Sequence, residues 1–117
     1  MTIAERQVGD VTILDIEGRI VIQDGADSFR AEVRQLVALS RVRLVLNLGG
    51  VPYIDSTGLS EIVRVYLSTT RRHGGVRLLH VTPRVLELLV VTKLVSVLDL
   101  FDEESEAVKS FGTGSGK

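Results

Sequence analysis

The chain has 117 residues, of which 44% are hydrophobic and 25% are charged, enough for one compact domain and too few for a second. Its 14 basic and 15 acidic side chains leave a formal net charge of -1, so charge predicts binding neither to nucleic acid nor to an anionic membrane. The sequence has no cysteine, which excludes disulfides, a thiolate nucleophile and zinc sites of the finger type, and which fits a cytoplasmic protein.

The pattern of apolar and turn-forming residues predicts strands and helices that alternate along most of the chain. Two apolar-rich runs on either side of Gly9-Asp10 predict an antiparallel hairpin. Later helices are predicted from apolar residues three or four positions apart, and Thr82-Pro83 is a typical helix start. In chain order, the predicted elements are strands at 3–8 and 11–17, a helix around 29–37, a strand at 42–48, a helix around 59–67, a strand at 76–81, a helix around 86–90, a strand at 97–101 and a helix at 103–111.

This order of elements predicts an α/β fold with a mixed sheet of about five strands and about four helices. The N-terminal hairpin is antiparallel, and the later strands are expected to be parallel and joined by right-handed crossovers. We expect one domain over residues 1–111 and a flexible, glycine-rich tail over residues 112–117. No apolar stretch has the length and low charge of a signal peptide core or a membrane span, so direct membrane insertion is not expected.

The segment after the third predicted strand carries a specific helix start. Asp55 is predicted to cap the second helix by accepting a hydrogen bond from the backbone N–H of Thr57 or Gly58. Ile54 and Leu59 then occupy the two positions of a hydrophobic staple, which fixes the angle at which the chain enters the helix.

Because Asp55 serves as the cap, the hydroxyls of Ser56 and Thr57 are not needed there and can face solvent. A phosphate on Ser56 would lie at the positive end of the helix dipole, although the neighbouring carboxylate opposes it. Gly58 costs the first helical turn about 0.5 to 1 kcal/mol relative to alanine, and a flat spot that lets a partner's backbone approach would explain it. The local chemistry fits both a simple helix cap and a phosphorylation switch.

Two enzyme classes share parts of this segment, and neither fits. Aspartic proteases carry Asp-Ser/Thr-Gly, but here two hydroxyl residues separate Asp55 from Gly58, and the helices on both sides contradict an all-β protease fold. A serine hydrolase would need glycine two residues before its nucleophile, where this chain has Ile54. The chain is therefore predicted not to be an enzyme.

Other polar residues give no sign of a catalytic centre. His73 and His80 have no evident acidic partner in the sequence and are interpreted as structural, so neither a metal site nor a cofactor is predicted. The second helix also carries a group of charged residues, interpreted as a solvated face rather than a binding patch. Its members are Glu61, Arg64, Arg71 and Arg72.

The chain resembles the STAS domain, the fold shared by bacterial anti-sigma factor antagonists and the cytosolic part of sulphate transporters. The resemblance covers nearly the whole chain, and its most specific part is the segment that contains Ser56. The matching features are Gly18, the run 44–48, the segment 53–59, Gly74-Gly75, Pro83, and Leu94 before Phe101.

The resemblance implies a function for Ser56, because in the antagonist family the corresponding serine is phosphorylated by a partner that is both anti-sigma factor and ATP-dependent serine kinase. The unphosphorylated form would bind the anti-sigma factor and release a sigma factor, and phosphorylation would end binding until a serine phosphatase restores it. Thr57 is a secondary candidate for phosphorylation. The residues expected to bind the partner are Asp24, Tyr53, Asp55, Ser56, Thr57, Gly58 and Leu59.

One departure from the family pattern concerns the loop after the second strand. Many members have Gly-Glu-Leu-Asp there, with the acid helping at the partner surface, whereas this chain has Val21 at the acidic position. Asp24 is the nearest candidate to replace that acid, and the identity of the kinase stays open. The alternative function is a constitutive scaffold or an accessory subunit of a signalling complex or membrane transporter, whose association would not depend on Ser56.

Overall fold

The strands and helices follow the order that the sequence predicts, which confirms the α/β fold. The computed structural model describes residues 1–112, so residues 113–117 of the predicted tail lie outside it. In chain order the elements are β1 (Thr2–Val8), β2 (Val11–Glu17), α1 (Ala26–Ala38), β3 (Arg43–Gly50), α2 (Ser56–Thr70), β4 (Gly75–Leu79), α3 (Pro83–Val91), a short 3-10 helix (Leu94–Ser96), β5 (Asp99–Phe101) and α4 (Glu104–Lys109). None of the helices described is long and apolar enough to cross a membrane.

The five strands form one mixed sheet in the order β1-β2-β3-β4-β5. β1 and β2 are antiparallel, and the turn between them contains Gly9 at a φ of +63°, a left-handed conformation that favours glycine. The later pairs are parallel, so that Leu14 of β2 lies beside Leu46 of β3, which lies beside Leu78 of β4. The predicted hairpin and parallel strands are therefore both confirmed.

Both faces of the sheet are buried. Alternate residues of its central strands point to opposite faces, so each central strand places side chains in two hydrophobic clusters. β3 places three leucines in the larger hydrophobic cluster and one valine in the smaller cluster, all 0% exposed, namely Leu44, Leu46, Leu48 and Val45. Helices α1, α2 and α3 contribute to the larger cluster, and α4 contributes Ala107 to the smaller one. The chain thus has helices on both faces of its sheet.

Three predicted strand boundaries differ from the observed ones by two residues. β4 ends at Leu79 because His80 adopts a φ of +56°, which turns the chain away from the strand direction. β5 begins only at Asp99, since the N–H groups of Val97 and Leu98 donate to the carbonyl oxygen of Leu94 and continue the turn of the 3-10 helix. β3 continues as far as Gly50, which pairs with Glu17 of β2.

The ends of the parallel strands place three loops beside one another at the start of α2. Ile20, in the loop after β2, forms an isolated parallel bridge with Ile54, which follows β3. Thr82, in the loop after β4, donates a hydrogen bond of 2.6 Å from its hydroxyl to the carbonyl oxygen of Val51. Loops at the carboxyl ends of parallel strands are where sites form in α/β proteins, and this edge carries the segment singled out from the sequence.

Candidate functional site

Asp55 caps the start of α2, as the sequence predicts. Its backbone is extended, with φ -100° and ψ -173°, and its carboxylate accepts a hydrogen bond of 2.9 Å from the N–H of Gly58. The other carboxylate oxygen accepts a hydrogen bond of 3.0 Å from the N–H of Ile22, in the loop after β2. These two donors, Gly58 first, hold the pKa of the Asp55 carboxyl below its ordinary value, so the cap is negatively charged at neutral pH.

The apolar residues on either side of the cap anchor it to the core. Ile54 is 2% exposed and Leu59 is 9% exposed, and both belong to the larger hydrophobic cluster. They stand immediately before the cap and at the fourth residue of the helix, the two positions of a hydrophobic staple. The entry of the chain into α2 is therefore fixed on both sides of Ser56.

Gly58 is required inside the domain, so its interpretation as a flat spot for a partner is wrong. The residue is buried, and a Cβ atom added to it would lie 2.1 Å from the carbonyl oxygen of Ile20. The backbone that approaches this glycine closely is therefore the chain's own, from the loop after β2. The fold itself thus accounts for glycine at this position.

The hydroxyl of Ser56 is free, whereas that of its neighbour is more enclosed. Ser56 is exposed at the first position of α2, and within residues 1–112 its side chain makes no hydrogen bond because Asp55 supplies the capping interaction. Thr57 is half-buried. Ser56 is thus the more accessible of the two hydroxyl groups to a modifying enzyme.

Ser56 lines a cavity of about 550 Å3 between the start of α2 and the side of α3. Exposed apolar groups stand on both of its sides, since Tyr53 is 40% exposed and Val91 is 72% exposed. The residues before α2 and in its first turn that line the cavity are Tyr53, Ile54, Asp55, Ser56 and Leu59, and those from α3 and its end are Arg84, Glu87, Leu88, Val91 and Thr92. Four of the predicted partner-binding residues therefore meet at one concave surface.

Arg84 is the basic one of five cavity residues, all from α3 and its end, that sequence reasoning missed. Its guanidinium carbon lies 5.5 Å from the centre of the Tyr53 ring, a distance typical of a cation–π contact. It occupies the second position of α3, where a positive charge opposes the helix dipole. A basic residue directly after the predicted helix start was the signal in the sequence that could have drawn attention to Arg84.

In the loop after β2, Ile22 and not Asp24 is hydrogen-bonded to Asp55. Asp24 does not line the cavity; its backbone pairs with that of Val21 through hydrogen bonds of 2.9 and 3.0 Å, and its side chain is 50% exposed. Ile22, which the sequence did not single out, is 64% exposed and donates its N–H to Asp55. An exposed isoleucine thus stands next to the cap.

The prediction that Glu61 lies on a solvated face of α2 is wrong. Glu61 is 2% exposed, and one of its carboxylate oxygens accepts hydrogen bonds of 2.6 and 3.0 Å from the guanidinium of Arg30 on α1. Arg64 lies 3.6 Å from the other oxygen. The helix turns Glu61 toward α1, and a carboxylate is tolerated there because a guanidinium from the neighbouring helix neutralises it.

The sequence matches the STAS domain family over residues 2–107, and the chain therefore belongs to that family. It is similar to BtrV of Bordetella bronchiseptica, a candidate anti-sigma factor antagonist, with 25% identity over 113 residues and 97% of each chain covered.

Solved structures agree with that assignment. TM1081 of Thermotoga maritima, another candidate anti-sigma factor antagonist, superposes with a TM-score of 0.88 at 26% identity over 93% of each chain. The anti-sigma factor antagonist SpoIIAA in its unphosphorylated form gives a TM-score of 0.73 at 14% identity, over 97% of this chain and 100% of SpoIIAA. At that identity the likeness to SpoIIAA shows a common fold alone.

Proposed function

We propose that this chain is an anti-sigma factor antagonist that is switched by phosphorylation of Ser56. The unphosphorylated form binds an anti-sigma factor that is also a serine kinase, which releases a sigma factor. The kinase then phosphorylates Ser56 and binding ends, until a serine phosphatase removes the phosphate. The chain acts in the cytoplasm as the substrate of these enzymes and is not an enzyme itself.

The observation that carries this proposal is the free hydroxyl of Ser56 at a fixed point of an exposed concave surface. Asp55 holds the helix start through its own hydrogen bonds, so modification of Ser56 removes no interaction that the fold needs. The folded domain is therefore expected to survive phosphorylation with its helices intact. A switch at this position changes the surface and leaves the scaffold beneath it unchanged.

Charge explains why the phosphate would end binding. The cavity is lined by two carboxylates and one guanidinium, those of Asp55, Glu87 and Arg84, which give a formal charge of -1. A phosphate adds about -1.5 to -2 charges at neutral pH. A partner surface that fits the unphosphorylated cavity would then meet this added negative charge, and an electrostatic and desolvation cost of about 4 kcal/mol weakens binding roughly a thousandfold.

The proposed partner surface combines this cavity with the exposed groups around it. Tyr53 and Ser56 are expected to contact the anti-sigma factor directly, with Asp24 and Thr57 at the margin. Gly58 and Leu59 are buried and are expected to act by holding the turn in place. Ile22 adds an exposed apolar contact on the side of the loop after β2.

The experiment is capture of partners from native lysate with the wild type, Ser56→Ala, Ser56→Asp and a matched control, Ser105→Asp. Ser105 is also an exposed serine in the first turn of a helix, but it lies in α4 and not at this cavity. We expect every chain except Ser56→Asp to retain a protein with a serine kinase domain. Mass spectrometry should find phosphate on Ser56 of the wild type.

Retention of the same partners by all four chains, with Ser56 never modified, would contradict the proposal and favour the constitutive scaffold. Loss of the partner from Ser105→Asp as well would show that the effect of Ser56→Asp is not specific to this site. Circular dichroism of each variant checks that the domain has folded.

A further inference from the structure

A phosphate on Ser56 would meet the partial positive charge at the start of α2, but no basic side chain stands in that first turn. The carboxylate of Asp55, one residue away, already accepts the N–H of Gly58 in the first turn. Its second oxygen accepts the N–H of Ile22, so these two donors are already occupied. The same carboxylate stays ionised and repels a second negative charge. A full positive charge would therefore come from another part of the cavity.

Arg84 is the basic residue that lines the cavity, among the residues that the structure describes. Within residues 1–112 its guanidinium forms no ion pair or hydrogen bond, and its contact is with the face of Tyr53 at 5.5 Å. Glu87 lies one turn further along α3 and is not within ion-pair distance of it in this part of the chain. The five N–H donors of Arg84 are therefore available to a new ligand.

The position of Arg84 relative to Ser56 is fixed by the fold rather than by a flexible loop. The hydroxyl of Thr82, two residues before Arg84, is hydrogen-bonded at 2.6 Å to the carbonyl oxygen of Val51. This bond joins the segment that leads into α3 to the segment that leads into α2. Arg84 and Ser56 line the same cavity between these two segments.

We propose that Arg84 forms a phosphate-binding site for phosphorylated Ser56. The guanidinium leaves the ring of Tyr53 and donates two parallel hydrogen bonds to phosphate oxygens, the geometry that arginine and phosphate favour. Phosphorylation then changes the surface twice, by adding charge at Ser56 and by uncovering Tyr53. This inference rests on the proposed function only for the presence of a phosphate on Ser56. The positions of Arg84 and Tyr53 are those of the folded chain.

The test uses phosphoserine inserted at position 56 during translation, so that neither kinase nor anti-sigma factor is required. The second ionisation of the phosphate is followed by 31P NMR as a function of pH at low salt, in four chains. They are the otherwise wild-type chain, Arg84→Gln, Arg84→Lys and the control Arg71→Gln, which removes an exposed arginine at the far end of α2. The spectrum of the backbone amides confirms that each variant is folded.

A free phosphoserine ionises with a pKa near 6, and a guanidinium in contact lowers that pKa. We expect the phosphate pKa in Arg84→Gln to be higher than in the wild type by roughly 0.5 unit or more, with Arg71→Gln unchanged and Arg84→Lys intermediate. The ring protons of Tyr53 should shift on phosphorylation in the wild type and not in Arg84→Gln.

Equal phosphate pKa values in Arg84→Gln and Arg71→Gln, with no shift of the Tyr53 ring protons, would overturn the phosphate site. That result would leave the proposed switch standing, because repulsion alone can end partner binding. Conversely, a chain whose Ser56 is never modified in lysate would remove the proposed function without altering the outcome of this titration. The two proposals can therefore fail separately.

Discussion

Replacing Gly58 with alanine tests whether this glycine is required by the domain itself. The added Cβ would lie 2.1 Å from the carbonyl oxygen of Ile20 and 3.1 Å from its carbonyl carbon. Contacts to a Cβ are essentially never under 3.0 Å, so the loop after β2 must move by nearly 1 Å. That movement pulls on the hydrogen bond between the N–H of Asp55 and the carbonyl oxygen of Ile20, which is already 3.4 Å long.

Two opposing contributions determine how much Gly58→Ala changes the free energy of unfolding. Alanine is favoured over glycine inside a helix by about 0.5 to 1 kcal/mol. Forcing extra atoms into a packed site costs about 1 to 3 kcal/mol, and here the clash is with backbone, which yields less easily than a side chain. We therefore expect Gly58→Ala to lower the free energy of unfolding by about 1 to 2 kcal/mol.

Urea unfolding followed by circular dichroism measures this change, with Ser60→Ala as the control. Ser60 is exposed on the same helix, so its replacement by alanine should leave stability within about 0.5 kcal/mol of the wild type. Gly58→Ala at or above wild-type stability is what helix propensity alone would give. That result would refute the reasoning that Ile20 and not a partner demands the glycine.

Three further predictions concern groups around the same helix. Glu61→Ala should lower the free energy of unfolding by roughly 1 to 3 kcal/mol in urea titrations, because it removes the carboxylate that pairs with Arg30 in the α1–α2 contact. The expected loss is smaller than for a fully buried ion pair because Arg30 is 40% exposed. Thr82→Val should cost about 1 kcal/mol in the same assay, because it removes the hydrogen bond to Val51 without changing side-chain size much. The third prediction is a pH dependence: Asp55 has a lower pKa in the folded chain than in the unfolded chain, so its contribution to stability is complete above about pH 4 and is lost as the pH falls through the folded pKa.

Each of these three predictions has its own contradicting result. Wild-type stability for Glu61→Ala would mean that the ion pair with Arg30 contributes nothing. An unchanged urea midpoint for Thr82→Val would mean that the two loops are held together by other contacts. For Asp55, the thermal midpoint of the wild type between pH 7 and pH 3 is compared with that of Asp55→Asn, which keeps a capping side chain, and equal slopes would exclude a role for its ionisation.

Local sequence chemistry determined the helices and strands of this protein and the cap at the start of α2. The hairpin, the helices and the strands buried on both faces follow from periodicities of two and about 3.6 residues, which depend only on near neighbours. Asp55 was recognisable as a cap for the same reason, since its acceptor role involves a backbone N–H three residues away. The accessibility of Ser56 followed from the capping of α2 by its neighbour.

Tertiary structure alone decided what surrounds that helix start. Gly58 meets the carbonyl group of Ile20, Glu61 meets Arg30, and Arg84 meets Tyr53, each pair separated by about thirty residues or more. These contacts depend on the order of strands in the sheet and on which way each helix faces, and no pattern within one turn contains that information. The sequence could therefore indicate that Ser56 is accessible. Which charged side chains and which backbone segment lie around it was decided only when the chain folded.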